Sequence, residues 1–310
     1  MTNVERCEKY IKKHELIGKG VELEFDTNKE TDDIILLGFI DDGEADWNSD
    51  TKTIEIPSFV TDVRFGWLSG VRRSLRITNK SQITDMSGFF LEYEGLELDL
   101  SEFDTSKVIN MKDMFASTES SKIDVSGFDT SNVKNMCNMF GQCRSVMELD
   151  ISNFNTEKCE DMSSMFYNCE MLRTLKLGKI DTSNVKDMNS MFSGCSFVDS
   201  IDVSGFNTSK VTDMAYMFKG CCSIDRIDIS GFDTSKVDSM ECMFFNCNTL
   251  LELDLSNFVI NLKNAECVKD MIRYCYDLRR LDISSMSESQ KNHVIGLLRD
   301  SDVNVITTHN

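Results

Sequence analysis

The stretch FDTSNVKNMCNMFGQC, residues 128–143, places a phenylalanine before Asp-Thr-Ser, then Val133, Met136, Met139 and Phe140, then a cysteine. The same arrangement returns along the chain. Its leading position recurs at Phe154, Ile180, Phe206, Phe232 and Phe258, each 26 residues on. Upstream it returns at Phe103 and, weakly, at Thr78, in steps of 25. The Met-x-x-Met-Phe element follows each leading residue. It reads Met111-Met114-Phe115, Met136-Met139-Phe140, Met162-Met165-Phe166, Met188-Met191-Phe192, Met214-Met217-Phe218 and Met240-Met243-Phe244. Met86-Phe89-Phe90 is an early variant, and Val268-Met271-Ile272 a late one after a two-residue insertion. Cys143, Cys169, Cys195, Cys221, Cys247 and Cys275 close the later units. Self-similarity at a fixed period marks stacked repeats, so the stretch is one of about eight units rather than an isolated site.

One unit, VMELDISNFNTEKCEDMSSMFYNC at residues 146–169, shows what each part does. MELDI alternates apolar and polar residues, as a half-buried strand does, with Leu149 and Ile151 on one side and Glu148 and Asp150 on the other. RTLKL, DSIDV, DRIDI, LELDL and RRLDI repeat the pattern. Asp/Asn-Thr-Ser then starts a turn or caps a helix, with Thr130 or Ser131 as the cap in the quoted stretch. Val133, Met136 and Phe140 fall at helical spacing, predicting a helix of about two turns, too short to stand alone. Each unit must bury its apolar side on its neighbours, which is the logic of a solenoid. The expected architecture is α/β: coils of 25–26 residues with a parallel β-sheet on one face, short helices on the other, and terminal caps.

LDLSEFDTSKVINMKDMF, IDVSGFDTSNVKNMCNMFGQC and IDVSGFNTSKVTDMAYMFKGC resemble the BspA-type leucine-rich-repeat proteins of bacteria, some protists and large viruses. The resemblance runs from Ser74 to about Ile283, and TIEIPSFVTDV, residues 53–63, resembles a related form of the same repeat. It implies a right-handed leucine-rich-repeat solenoid without catalytic residues, and roles in binding proteins or host surfaces.

The repeat sets the domain division: an N-terminal cap at 1–52, the solenoid at 53–286 and a C-terminal cap at 287–310. VERCEKYIKKHEL has a helical pattern, VELEFD and IILLGFI read as strands, and Ser287 with Gln290 makes a capping-box signature. VNVITT reads as a last strand. A formal charge of −19, from 33 basic and 52 acidic residues, disfavours nucleic acid, whose phosphates need Lys or Arg, and anionic membrane surfaces. No stretch is apolar for long enough to span a bilayer, and the start has no apolar run of signal-peptide length. With 12 cysteines and no export signal, a cytoplasmic, reducing location is expected.

The cysteine column contains no CxxC pair and does not cluster with histidine, so it reads as a packing ladder before redox, metal or disulfide chemistry. His14, His293 and His309 fall in the end segments, leaving no Cys–His or Ser–His pair within the repeats. Neither a P-loop nor HExxH is present. Catalytic, metal and cofactor residues are therefore expected to be none.

The outward strand positions vary most. They are Ser74/Arg76, Glu97/Asp99, Lys122/Asp124, Glu148/Asp150, Thr174/Lys176, Ser200/Asp202, Arg226/Asp228, Glu252/Asp254 and Arg280/Asp282. The second-position Asp column breaks at Lys176. It admits three readings: Asp accepting hydrogen bonds from turn Ser or Thr or simply solvated, an acidic strip for a basic protein surface, or a weak cation ladder. The expected partner-binding set is Asp150, Lys176, Asp202, Arg226, Asp228, Glu252, Asp254 and Asp282. The expected function is a non-enzymatic protein-binding module whose partner has a basic surface. A host-facing adhesin released by an unusual route, and an enzyme with its chemistry in the caps, are the alternatives.

Overall fold

The computed structural model describes residues 1–17, 22–40, 52–63, 66, 68–69, 75–80, 82–260, 268–298 and 304–307. Ser74, Cys267 and His309 lie outside the described residues, as do residues 41–51.

The N-terminal segment is a helix over a hairpin. Helix α1 (Asn3–Ile17) begins at Asp32, whose carboxylate accepts the N–H groups of Asn3 at 2.9 Å and Val4 at 3.0 Å. These bonds satisfy donors that the first helical turn leaves open, and they hold the Asp32 carboxyl below its ordinary range. Strands β1 (Glu22–Asn28) and β2 (Asp33–Ile40) pair antiparallel, and β4 (Asp62–Val63) adds to β2 in parallel. Tyr10, Phe25 and Phe59 meet edge to face at 5.5–5.9 Å, tying helix, hairpin and first coil together.

From β3 (Lys52–Ile56) onward the strands are parallel. β3 pairs with β5 (Leu75–Asn79), β5 with β6 (Glu97–Asp99), and β6 with β7 (Lys122–Asp124). β8 (Glu148–Asp150) pairs with β9 (Thr174–Lys176). β10 (Glu252–Asp254) pairs with β11 (Arg280–Asp282), which pairs in turn with β12 (Asn304–Ile306). The central residue of most repeat strands is buried, as at Leu98, Leu149 and Leu281, and its two neighbours face outward. This is a parallel-strand solenoid. The early weak leading position belongs to Asn79 rather than Thr78: Asn79 bridges Phe103, is buried, and donates its side-chain amide to the Asp104 carbonyl at 2.7 Å.

Among the described residues of the repeats, turns replace the short helices expected on the second face, with a lone 3-10 position at Val268. In the quoted unit, alternate amides cross to the next coil: Met136 to Asp161, Asn138 to Ser163 and Phe140 to Met165, at 2.8–2.9 Å. The amides between them close tight turns, Met139 to Met136 and Gly141 to Asn138. Asn138 and Gln142 take left-handed backbone, with φ of 54° and 60°, and Gly194 and Gly220 fill the second of these positions in later coils. A helix would spend every amide within its own turn. This ribbon sends half of them sideways, so it holds coils together as a strand would.

The apolar columns fill the space between the faces. The rings of Phe90, Phe115, Phe140, Phe166, Phe192, Phe218 and Phe244 stack face to face at 5.2–5.9 Å, with planes within 15° of parallel. The Thr column is also core rather than helix cap. Thr130 Oγ1 donates to the Asn155 carbonyl at 2.9 Å and accepts the Asn155 N–H at 2.8 Å. Thr105, Thr156, Thr182, Thr208 and Thr234 do the same toward their next coils.

At the C-terminal end, Ser287 and Gln290 form the capping box of helix α2 (Glu288–Leu297), and the Gln290 side chain reaches the Ile260 carbonyl at 3.2 Å.

Candidate interaction surface on the strand face

Each outward Asp follows its strand's central residue and turns back on the chain. Asp99, Asp150, Asp202 and Asp228 accept both the N–H and the hydroxyl of the Ser two residues on, with hydroxyl distances of 2.6–2.7 Å. Asp124, Asp254 and Asp282 accept the corresponding N–H of Ser126, Ser256 and Ser284. The first of the three readings therefore describes one oxygen of each carboxylate. These bonds favour the charged form. The Ser101 and Ser230 bonds lower the carboxyls of Asp99 and Asp228, and at Asp150 the Ser152 bonds, aided by Lys176, bring it to about 2. Asp99, Asp150 and Asp228 are thereby held in the charged form.

Cations cross it at intervals. Lys176 breaks the Asp column, and in register it meets Asp150 at 3.1 Å. Arg226 reaches Glu252 at 3.5 Å, Arg280 reaches the same carboxylate at 3.9 Å, and Arg280 also lies 3.9 Å from Asp282. Arg226, Asp228, Glu252, Asp254, Arg280 and Asp282 thus line one shallow depression of about 320 Å³. Asp150 and Lys176 line a larger one of about 700 Å³, floored by Ile123 and Leu149 and rimmed by the exposed Met147. Asp202 lines a third, about 490 Å³, between the turn that follows β9 and the turn that follows residues 200–202. The eight expected residues therefore divide among three depressions. Arg280 and Met147 belong beside them. Arg280 shares the first outward strand position with Arg226, which was the available signal; Met147 alternates in phase with the buried Leu149 and Ile151, yet it lies one residue before its strand and is exposed.

DSIDV and DRIDI do not form strands. Residues 200–202 and 226–228 carry no inter-strand ladder, so the sheet is interrupted from β9 to β10 and again between β7 and β8. Two glycines mark the coils where the interruptions begin. A Cβ at Gly127 would lie 2.6 Å from the Ser101 carbonyl oxygen, and one at Gly178 would lie 2.6 Å from Ser152 Cα. Both glycines let their coil press onto the preceding coil, and in both cases the ladder to the following coil is missing. A Cβ at Gly205 would meet nothing within 4 Å. The turn face has no such interruption: its bridges run from Asp85 through Asn110, Asn135, Asp161, Asp187 and Asp213 to Ser239.

The cysteines form a hydrogen-bonding ladder. The thiols of Cys143, Cys169, Cys195, Cys221, Cys247 and Cys275 each donate to the carbonyl of the stacked Phe one coil earlier, at 3.0–3.2 Å. Thr118 takes this place in the first such coil, donating to Phe90 at 2.9 Å. Burial pushes the thiols of Cys169 and Cys275 up to about 12. Every described cysteine is free, and the described residues contain no group of His, Cys, Asp and Glu suited to hold a metal ion. No described helix is long and apolar enough to cross a membrane.

A family model described as "Mycoplasma protein of unknown function, DUF285" matches residues 65–176 and 170–285, and the chain belongs to that family. Among solved structures, a leucine-rich repeat protein from Bacteroides ovatus ATCC 8483 aligns with a TM-score of 0.51 over 86% of this chain and 74% of its own, at 14% identity. At that identity the likeness shows the leucine-rich-repeat type of solenoid and nothing of function. No curated protein matches the chain.

Proposed function

We propose that this member of the DUF285 family is a non-enzymatic, BspA-type protein-binding module that presents its mostly acidic strand face to a basic surface on a protein partner. One observation carries the reading: a rigid stack of coils displays outward side chains that differ from coil to coil, over a core that repeats almost unchanged. Phe, Met, Thr and Cys are constant because they bond coil to coil. The strand positions, with Lys176 and Arg226 set among carboxylates, are where the sequence is free to specify. A reducing, cytoplasmic setting suits the free cysteines.

Complementary charge steers encounter and is screened by salt. A partner isolated from the host and purified tests the reading. Its association rate with the full chain is expected to fall as salt rises, and to fall again in the double variant Asp228→Lys, Asp254→Lys, with the melting temperature held. An unchanged rate at low salt, with binding lost instead on substituting Tyr274 and Arg273 of the turn face, overturns it.

A further inference from the structure

A group of exposed rings lies away from the strand face, on the turn side of three successive coils near the C-terminal end. Lys219, Phe245 and Arg273 hold equivalent places in these coils, because the Gly220 N–H meets the Phe245 carbonyl and the Asn246 N–H meets the Arg273 carbonyl, both at 2.8 Å. Phe245 is therefore central, with one cation on each side. The Lys219 ammonium lies 5.3 Å from the centre of the Tyr216 ring and 5.5 Å from that of Phe245, and the Arg273 guanidinium lies 4.7 Å from that of Tyr274. Tyr274 meets Phe245 edge on at 5.0 Å and Tyr276 at 5.9 Å. Tyr276 is 75% exposed and Tyr274 39%. Exposed apolar patches mark interaction sites, and Tyr and Arg carry much of the binding energy where proteins meet.

Two observations separate this patch from ordinary surface. Tyr274 takes left-handed backbone, with φ of 65°, at the place where Asn168, Gly194, Gly220 and Asn246 stand in the preceding coils. Asn and Gly enter that region at little cost, and a bulky ring does not. The turn does not call for tyrosine, so the use of the ring lies outside the coil. The second observation is charge. The chain carries 52 acidic and 33 basic residues, yet around these rings Lys219, Lys269 and Arg273 stand with Glu241, Asp270 and Asp277, three of each sign. A strongly charged partner of either sign gains nothing from a balanced patch. A second copy of the chain is balanced in the same way here. Two copies at −19 each repel as whole bodies, so they join where the local charge is balanced and apolar rings are exposed.

We propose that this patch joins two copies of the chain about a twofold axis beside Phe245. In such an interface a residue of one copy meets a second residue of the other, and the reverse contact is made as well. With Phe245 at the centre, the Lys219 coil of each copy faces the Arg273 coil of the other. Lys219 and Tyr216 of one copy then lie against Tyr274 and Tyr276 of the other. Each exposed ring gains a cation while each cation keeps the ring it already has. The strand faces stay open on the far side of both copies, so the proposal stands apart from the strand-face reading.

Sedimentation equilibrium of the full chain alone, at low and moderate salt, tests this. A monomer–dimer equilibrium is expected, tighter at moderate salt, where the long-range repulsion is screened and the ring contacts are not. Tyr276→Ser and Arg273→Glu are each expected to weaken the dimer about tenfold, the scale of an interface hot spot. Met147→Ser, at an exposed apolar site on the strand face, is expected to leave it unchanged. Melting temperatures confirm that each variant is folded. Amide exchange at 242–248 is expected to slow as concentration rises. A monomer at every concentration and salt overturns the proposal. So does a dimer that Tyr276→Ser and Arg273→Glu leave intact, and one lost instead in the double variant Asp228→Lys, Asp254→Lys places the contact on the strand face. Species that keep growing beyond a dimer overturn the twofold arrangement, because a twofold contact closes on itself. The strand-face reading is judged separately, by its partner assay.

Discussion

The thiol of Cys169 donates to the carbonyl oxygen of Phe140 at 3.0 Å, and the same oxygen accepts the N–H of Cys143 at 3.2 Å. One carbonyl thus closes a turn in its own coil and receives the next coil. The ladder is structural chemistry made from a residue type usually watched for reactivity. Because the thiolate is the reactive form, burial that raises the thiols to about 12 keeps them inert at neutral pH. With a thiol reagent at pH 8, the half-buried Cys137 and Cys222 are expected to react first, and Cys143, Cys169 and Cys195 only on unfolding. Fast labelling of those three in the native protein would contradict the packing role.

The phenylalanine stack predicts a large, local loss. Phe192 is fully buried between Phe166 and Phe218, at 5.5 and 5.6 Å. Phe192→Ala is expected to cost about 3–5 kcal/mol in denaturant unfolding, the range for a buried aromatic truncated to alanine. A loss under about 1 kcal/mol would mean that the ring is not part of a packed core.

The threonine column makes a sharper test, because it separates shape from hydrogen bonding. Thr182 Oγ1 donates to the Asn207 carbonyl at 3.0 Å and accepts its N–H at 2.7 Å. Thr182→Val keeps the outline and strands both main-chain groups, which at about 1–3 kcal/mol per buried group predicts a loss of about 2–6 kcal/mol. Thr182→Ser keeps the hydroxyl and is expected to cost much less in the same unfolding experiment. Equal losses for the two would refute the hydroxyl's role.

Asp187 predicts a pH dependence. It sits on the turn face between Asp161 and Asp213, half-buried, and desolvation together with those two carboxylates raises its carboxyl above the ordinary 3.8. A carboxylate whose folded value is raised destabilises the fold at pH above that value, and the penalty fades as pH falls through it toward 3.8. Asn135 occupies the same column and accepts the Cys137 N–H as Asp187 accepts that of Asn189. Asp187→Asn is therefore expected to stabilise the protein at pH 7 by about 0.5 kcal/mol, the scale of a neighbouring-strand charge pair exposed to solvent. Thermal melts should show the gain shrinking in acid. A gain that persists unchanged at pH 3 would assign it to another cause.

The period was legible from the sequence because a stack of equal coils places like residues on like residues. Phe140 must meet Phe115 and Phe166 in every copy, so its identity recurs at a fixed step, and so do those of Met136 and Cys143. The outward strand positions were legible for the same reason, as the members of each coil that the stack does not constrain.

The tertiary structure alone decided how each coil spends its amides. Val133, Met136 and Phe140 have helical spacing, but a chain of turns with left-handed residues at Asn138 and Gln142 buries the same side chains and bonds to its neighbours as well. Spacing records which side chains are inside and is silent on where the N–H groups point. Thr130 likewise suits a helix cap or an inter-coil clasp, and only the presence of Asn155 on the next coil selects the clasp. The interruption of the sheet lies furthest from the sequence. DSIDV and DRIDI alternate as well as any strand, but pairing depends on the offset between whole coils. That offset shows only in the assembled stack, where the main chain at Gly178 lies close on Ser152 of the preceding coil and the ladder to the following coil is missing.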